Sequence, residues 1–226
     1  MQLGNNVYLQ SDLDAFAVKY GRGYVQPGYS PILASISGGS TDPNQNNAAY
    51  LESDIDFEYG MNMIYPQNVT LYQVGDAYIG GNFNTFLDAV DSTYCDDDSR
   101  WDPQYPDSSN SGGYQGSNTC GGVQLTQVVS SSYAGNEAMY TSNEDSSGET
   151  YFTPYYAQRQ CMEYMKLGLM GTTVLYASGD NGAAGEDGWC VAYDPAVDYD
   201  NWYYYQEDQW GYFTPQVSFS SSCILA

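Results

Sequence analysis

Apolar and polar residues alternate in blocks along this chain, and the blocks predict a run of short helices and strands. Gln10-Ser11-Asp12 opens a helix with Leu13, Phe16 and Ala17 on one face and Ser11 as its N-cap. Pro31 to Ile36 reads as a short strand closed by Gly38-Gly39. A helix follows over Asn47 to Asn62, where Leu51, Ile55 and Tyr59 recur every four residues and predict its buried stripe. Pro66 ends that region. Val69 to Val74 alternates as a strand does, and Asn82 to Val90, after Gly80-Gly81, predicts another helix. Val123 to Ser130 reads as a strand. Thr153-Pro154 starts the clearest helix, with Thr as cap and Pro at the first helical position. Cys161, Met162, Met165 and Leu169 mark its apolar face, and Gly171 ends it. Thr172 to Ala177 is a compact apolar strand. Strands and helices in this order, with loops of this length, predict an α/β fold: a parallel sheet with covering helices.

Two stretches break the pattern. Asp91 to Gly122 is rich in Asp, Ser, Gly, Pro and Tyr, and reads as a long surface insertion with Cys95 and Cys120 at its ends. A disulfide across it would stabilise the fold by about 3 kcal/mol on the loop-closure model; two unrelated thiols are the alternative. Asp194 to Trp210 is acidic and Tyr-rich and reads as another loop.

Composition narrows the function classes. The 226 residues suffice for one large domain. Five Lys plus Arg stand against 28 Asp plus Glu, a net charge of −23, which repels nucleic acid and anionic membrane surfaces. With 25 Tyr and 24 Gly this is no disordered acidic tail. Carboxylates lose charge in acid, so the balance reads either as adaptation to acid or as plain solubility. No stretch approaches a membrane-spanning helix, and Met1 to Gln10 lacks the basic start and apolar core of a signal peptide. Asn68-Val69-Thr70 is a glycosylation sequon; Asn118-Thr119-Cys120 is not of the usual Ser/Thr kind. With five Cys, these features point to a secreted, extracellular protein whose signal peptide lies outside this sequence. The odd Cys count hints at truncation.

The chain has no His, so Ser-His-Asp and Cys-His catalysis and His-held zinc are excluded, and the Cys lack metal-ligand spacing. Carboxylates must then serve as any acids and bases. Glu52 and Asp56 are four apart on a predicted helix and so neighbours on one face. A pair sharing a proton suits catalysis at low pH; a solvated acidic face is the alternative. Asp180 lies in Ala177-Ser178-Gly179-Asp180-Asn181-Gly182, directly after an apolar strand. Functional groups gather at the carboxyl ends of parallel strands, and an ordinary Gly-rich turn is the alternative.

Taken together, these places resemble the sedolisin family, the serine-carboxyl peptidases that include the tripeptidyl peptidases. The similarity runs from Tyr8-Leu9-Gln10-Ser11-Asp12-Leu13-Asp14 and Ile36-Ser37-Gly38-Gly39 through Glu52 to Tyr59 and Ser131-Ser132-Tyr133-Ala134. It is most specific over Arg159 to Gly168 and Ala177 to Gly182, and continues to Phe213-Thr214-Pro215 and Ser222-Cys223. The resemblance implies a subtilisin-like parallel sheet flanked by helices, incomplete at the C-terminal side, with the whole chain, 1–226, a partial peptidase domain. It implies Glu52 as general base for a serine, Asp56 as its orienting partner and Asp180 as a protonated oxyanion donor. Backbone groups of Ser132, Tyr133 and Ala134 would pair with a peptide or protein substrate.

The departures from that family pattern matter as much. The nucleophile belongs to a Gly-Thr-Ser-x-Ser segment that this sequence does not contain. Ser220, Ser221 and Ser222 align with an earlier stretch and do not replace it. The family's calcium site and pro-domain also belong to segments outside this sequence. No cofactor is therefore expected in this chain, and a C-terminal segment of the same protein is a possible partner. Ala134 stands where the family has Gly. The expectation is a fragment of an acid-acting peptidase, inactive alone. Two other classes stand beside it: a non-catalytic peptide-binding or extracellular interaction protein derived from such a peptidase, and a glycan-binding module using Tyr199 to Tyr205.

Overall fold

The computed structural model describes residues 1–95, 102–133, 154–179, 189–193 and 202–206. The chain divides into two compact units, Met1–Ser132 and Tyr133–Ala226.

The first unit is built on three parallel strands: β1 (Gln2–Leu3), β2 (Ile32–Ile36) and β3 (Thr70–Val74). They stand in the order β1-β3-β2, with Ile32 opposite Thr70, Ile36 opposite Val74 and Gln2 opposite Gln73. Between them run α1 (Gln10–Tyr20) and α2 (Leu51–Ile64), and after β3 comes α3 (Phe83–Val90). Successive strand residues point to opposite faces. Leu71 on one face joins Leu13 of α1 and Phe57 and Met61 of α2 in a buried cluster. Tyr72 on the other face packs edge-on against Phe86 of α3, ring centres 5.5 Å apart. The sheet is therefore covered on both sides, as the order of elements predicts, and the fold is α/β.

The parallel strands turn sharply where they end. Gly39 follows β2 so closely on β3 that a Cβ there would lie 1.9 Å from the Gln73 carbonyl oxygen. Gly75 leaves β3 with φ +75°, a conformation that favours glycine. The next residue, Asp76, is buried and accepts backbone N–H groups of Tyr78, Ile79 and Tyr114. The last of these belongs to the 91–122 segment, whose described part lies down against α3. Gly121 N–H donates to the Asp88 carbonyl at 2.7 Å, and Asn84 donates to the buried Asp102 at 3.0 Å. The Ser37 hydroxyl accepts from Thr119 N–H and donates to Asn118 Oδ1. Cys95 and Cys120 form a disulfide.

Several expectations need correction. The stripe Leu51, Ile55 and Tyr59 is not buried: these residues are 84%, 54% and 58% exposed. The inner face of α2 is Ser53, Asp54, Phe57 and Met61, because that is the side on which α1 and Leu71 lie. Ser11 does not cap α1; Leu9 stands at the N-cap without a side-chain bond, and Ser11 lies inside the helix. The strand expected over 123–130 is shorter, β4 at Val128–Ser131.

In the second unit, α4 spans Pro154–Leu169 and β5 Thr173–Tyr176. The expected apolar face of α4 points outward, with Met162, Met165 and Leu169 mostly exposed and Cys161 half-buried. Tyr156, Gln160, Glu163 and Leu167 are buried instead, one stripe at helical spacing. Glu163 is matched by Lys166 Nζ at 2.9 Å. The expected loop over 194–210 contains a strand, β7 (Trp202–Gln206), which pairs antiparallel with β6 (Trp189–Tyr193).

Candidate functional site

The first two turns of α2 lie at the carboxyl ends of the parallel strands. The helix follows β2 and runs back toward the amino end of β3, and the chain before it is tied to the β1 end by Val7 N–H donating to Ala49 O at 2.9 Å. Open ends of such sheets are where α/β folds gather functional groups. Three carboxylates stand on these two turns: Glu52, Asp54 and Asp56. Acidic residues in a first turn are favoured by the exposed N–H groups and the dipole of the helix.

The three have different surroundings. Glu52 is exposed. Asp56 is half-buried and held from two sides: Gln2 Nε2 donates to Oδ2 at 2.8 Å and the Ser132 hydroxyl donates to Oδ1 at 2.8 Å. Beside it the Met1 amine donates to the Ser130 carbonyl at 2.8 Å. Burial lowers that amine to about 6, and the negative charge of Asp56 works against the lowering. Asp56 thus joins the first strand, α2 and the chain after β4 at one point, leaving Glu52 toward solvent one turn away.

Asp54 was not singled out by the sequence, and it is the most buried of the three at 7% exposure. It accepts the Leu9 backbone N–H at 2.8 Å, fastening the start of α1 to α2. Desolvation pushes its carboxyl above the usual range; the Leu9 bond opposes this and the charges of Asp12 and Glu58 add to it. The signal that could have found it is its spacing of three from Phe57 and seven from Met61, which places it on their inward face.

Ser132 and Tyr133 are half-buried, and Ser132 is the one whose side chain reaches the carboxylates. Ala134 and Asp180 lie outside the described residues, as do Ser220 to Ser222. The chain leading to Asp180 is described as far as Gly179, which follows β5 with φ +87°, a conformation that favours glycine. Among the described residues no three His, Cys, Asp or Glu side chains are gathered to hold a metal.

No protein-family model and no solved structure matches the chain. Curated proteins do. The chain is 44% identical over 190 residues to tripeptidyl-peptidase SED1 of Arthroderma otae. It is 42% identical over 193 residues to aorsin of Aspergillus oryzae, and 39% identical over 189 residues to tripeptidyl-peptidase sed1 of Aspergillus fumigatus. These alignments take in 80–81% of this chain and 26–27% of the relatives. The chain thus spans about a quarter of the length of the curated relatives it matches.

Proposed function

We infer that this chain, which belongs to the sedolisin family, is the substrate-facing part of a secreted serine-carboxyl peptidase that works in acid on peptides or proteins. The observation that carries the reading is the identity of 39–44% to fungal proteins of which two are named tripeptidyl-peptidases. The parallel sheet with helices on both faces is the kind of frame a subtilisin-like fold needs. The disulfide and the acidic composition accord with secretion and low pH.

In this reading Glu52 takes the proton from a serine hydroxyl as that oxygen attacks the peptide carbonyl. Asp56, held by Gln2 and Ser132, fixes Glu52 in orientation. Asp180, protonated, donates to the developing oxyanion; a preorganised donor of this kind contributes roughly 3 to 4 kcal/mol. The backbone from Ser132 through Tyr133 to Ala134 pairs with the substrate chain. The sequence contains no Gly-Thr-Ser-x-Ser run to supply the serine, so the 226-residue chain binds peptide without cleaving it.

The test is the purified chain with a tripeptidyl substrate and a denatured protein, from mild acid to neutrality. Binding without turnover is expected, with the amide signals of Ser132 and Tyr133 moving in NMR spectra and the movement weakened in Asp56→Ala. Turnover that vanished in Glu52→Ala would overturn the inactive reading. No binding at any pH would overturn the assignment of the substrate strand.

A further inference from the structure

We propose that Asn68 carries an N-linked oligosaccharide and that Asn118 does not. This stands apart from the peptidase reading. Asn68-Val69-Thr70 is the single Asn-x-Ser/Thr sequence in the chain, and Asn118-Thr119-Cys120 is its single Asn-x-Cys.

The structure separates the two. Asn68 is exposed in the loop between α2 and β3, and its side chain makes no hydrogen bond among the described residues. The backbone around it is nonetheless well anchored. Tyr29 donates its hydroxyl to the Gln67 carbonyl at 2.9 Å, Gln67 N–H bonds Ile64 O at 2.9 Å, and Ile32 N–H bonds Val69 O at 2.8 Å. A fixed loop thus presents a free carboxamide to solvent. Asn118 is the opposite case. Its Nδ2 donates to buried Asp88 at 2.9 Å, its Oδ1 accepts from Ser37 at 2.7 Å, and its third sequon residue, Cys120, is joined to Cys95. Attaching a sugar to that nitrogen would take one of its two N–H groups and press a bulky group into the packed segment beside α3, where the nitrogen is bonded to Asp88.

Position and surroundings agree. Thr70 begins β3, so the sequon sits at the amino ends of the strands, while Glu52 and Asp56 lie at the carboxyl ends, about 15 Å away along five residues of strand. A glycan there leaves that end open. Nearby stand Met63, Ile64 and Tyr65 at 80%, 45% and 40% exposure, an apolar rim that a solubilising sugar would shield. The Cys95–Cys120 disulfide belongs to the oxidising compartment in which such sugars are added.

In the transfer, Asn68 Nδ2 loses a proton and bonds the anomeric carbon of the sugar, and a lipid diphosphate leaves from a lipid-linked oligosaccharide. The experiment secretes the chain from a yeast host behind a host leader, and in parallel translates it with microsomes, where folding yield does not matter. One glycan is expected: a single band that moves in one step on treatment with a peptide-N-glycosidase. The step should be lost in Asn68→Gln and Thr70→Ala and kept in Thr70→Ser. Secreted, disulfide-bonded protein with no enzyme-sensitive step, or a step that survives Asn68→Gln, would overturn the proposal.

Discussion

Helices α2 and α3 cover the same three-stranded sheet, yet one is half bare and the other enclosed. Residues 84 to 89 of α3 are all buried, whereas α2 buries Ser53, Asp54, Phe57 and Met61 and leaves Leu51, Ile55, Tyr59 and Met63 largely in solvent. The cause is what lies beyond each helix. Past α3 runs the irregular segment 102–123, bonded to the helix through the Asp88 and Ala89 carbonyls and the Asn84 and Asp88 side chains. Irregular chain can serve as a covering layer when its polar groups find partners in what it covers. Among the described residues α2 has no such layer on its outer side.

If enclosure decides the energetics, deletions on the two helices should differ. Phe86→Ala is expected to cost about 5 kcal/mol and Phe57→Ala about 3, the two ends of the usual range for emptying an aromatic site. Urea unfolding measures both, and equal costs would mean that α2 is as well enclosed as α3. Smaller, and read in a slope, is the effect of Asp54. Its folded-state carboxyl is raised above its ordinary value, chiefly by desolvation. The ionised group therefore costs stability at neutral pH. As pH falls through the raised value toward the ordinary one of 3.8, the folded state takes up the proton first and stability rises. Asp54→Asn, which keeps an acceptor for Leu9, should be more stable at neutral pH and gain less on acidification; an unchanged slope would place the pH dependence elsewhere. Smallest of all, Leu51→Ser and Ile55→Ser should each change stability by less than about 0.5 kcal/mol. A loss of several times that would show the outer face of α2 to be covered in solution.

The elements were readable in the sequence because Gly, Pro and apolar runs punctuate them: β2, β3, α3 and α4 begin and end within a few residues of the expected positions. Which face of a helix turns inward was not. On α2 the repeat at 51, 55 and 59 is a valid helical stripe, but period alone does not say where the sheet lies. The true inner face carries Ser53 and Asp54, whose polarity hides it. On α4, Gln160 and Glu163 hide the inner stripe in the same way. Within 194–210 the acidic background outweighed Trp202-Tyr203-Tyr204-Tyr205, aromatic residues that favour strands. At the site, the spacing of Glu52 and Asp56 was visible, but Asp56's partners were not. Gln2 lies 54 residues away and Ser132 76 residues away, and only the fold brings them together.

The central place of β3 sets a timetable for synthesis. β1 and β2 leave the ribosome first, but they cannot pair with each other, because the strand between them has not yet been made. Until Val74 emerges, both carry unpaired backbone groups along their edges. Helix α1 must likewise wait for Phe57, Met61 and Leu71, the buried partners of Leu13. The arrival of one five-residue strand then gives both earlier strands their partner and closes the core beneath them. A nascent chain stalled before that strand could hold α1 against α2 through Asp54 but would leave β1 and β2 unpaired, and one released just beyond it would already hold its sheet.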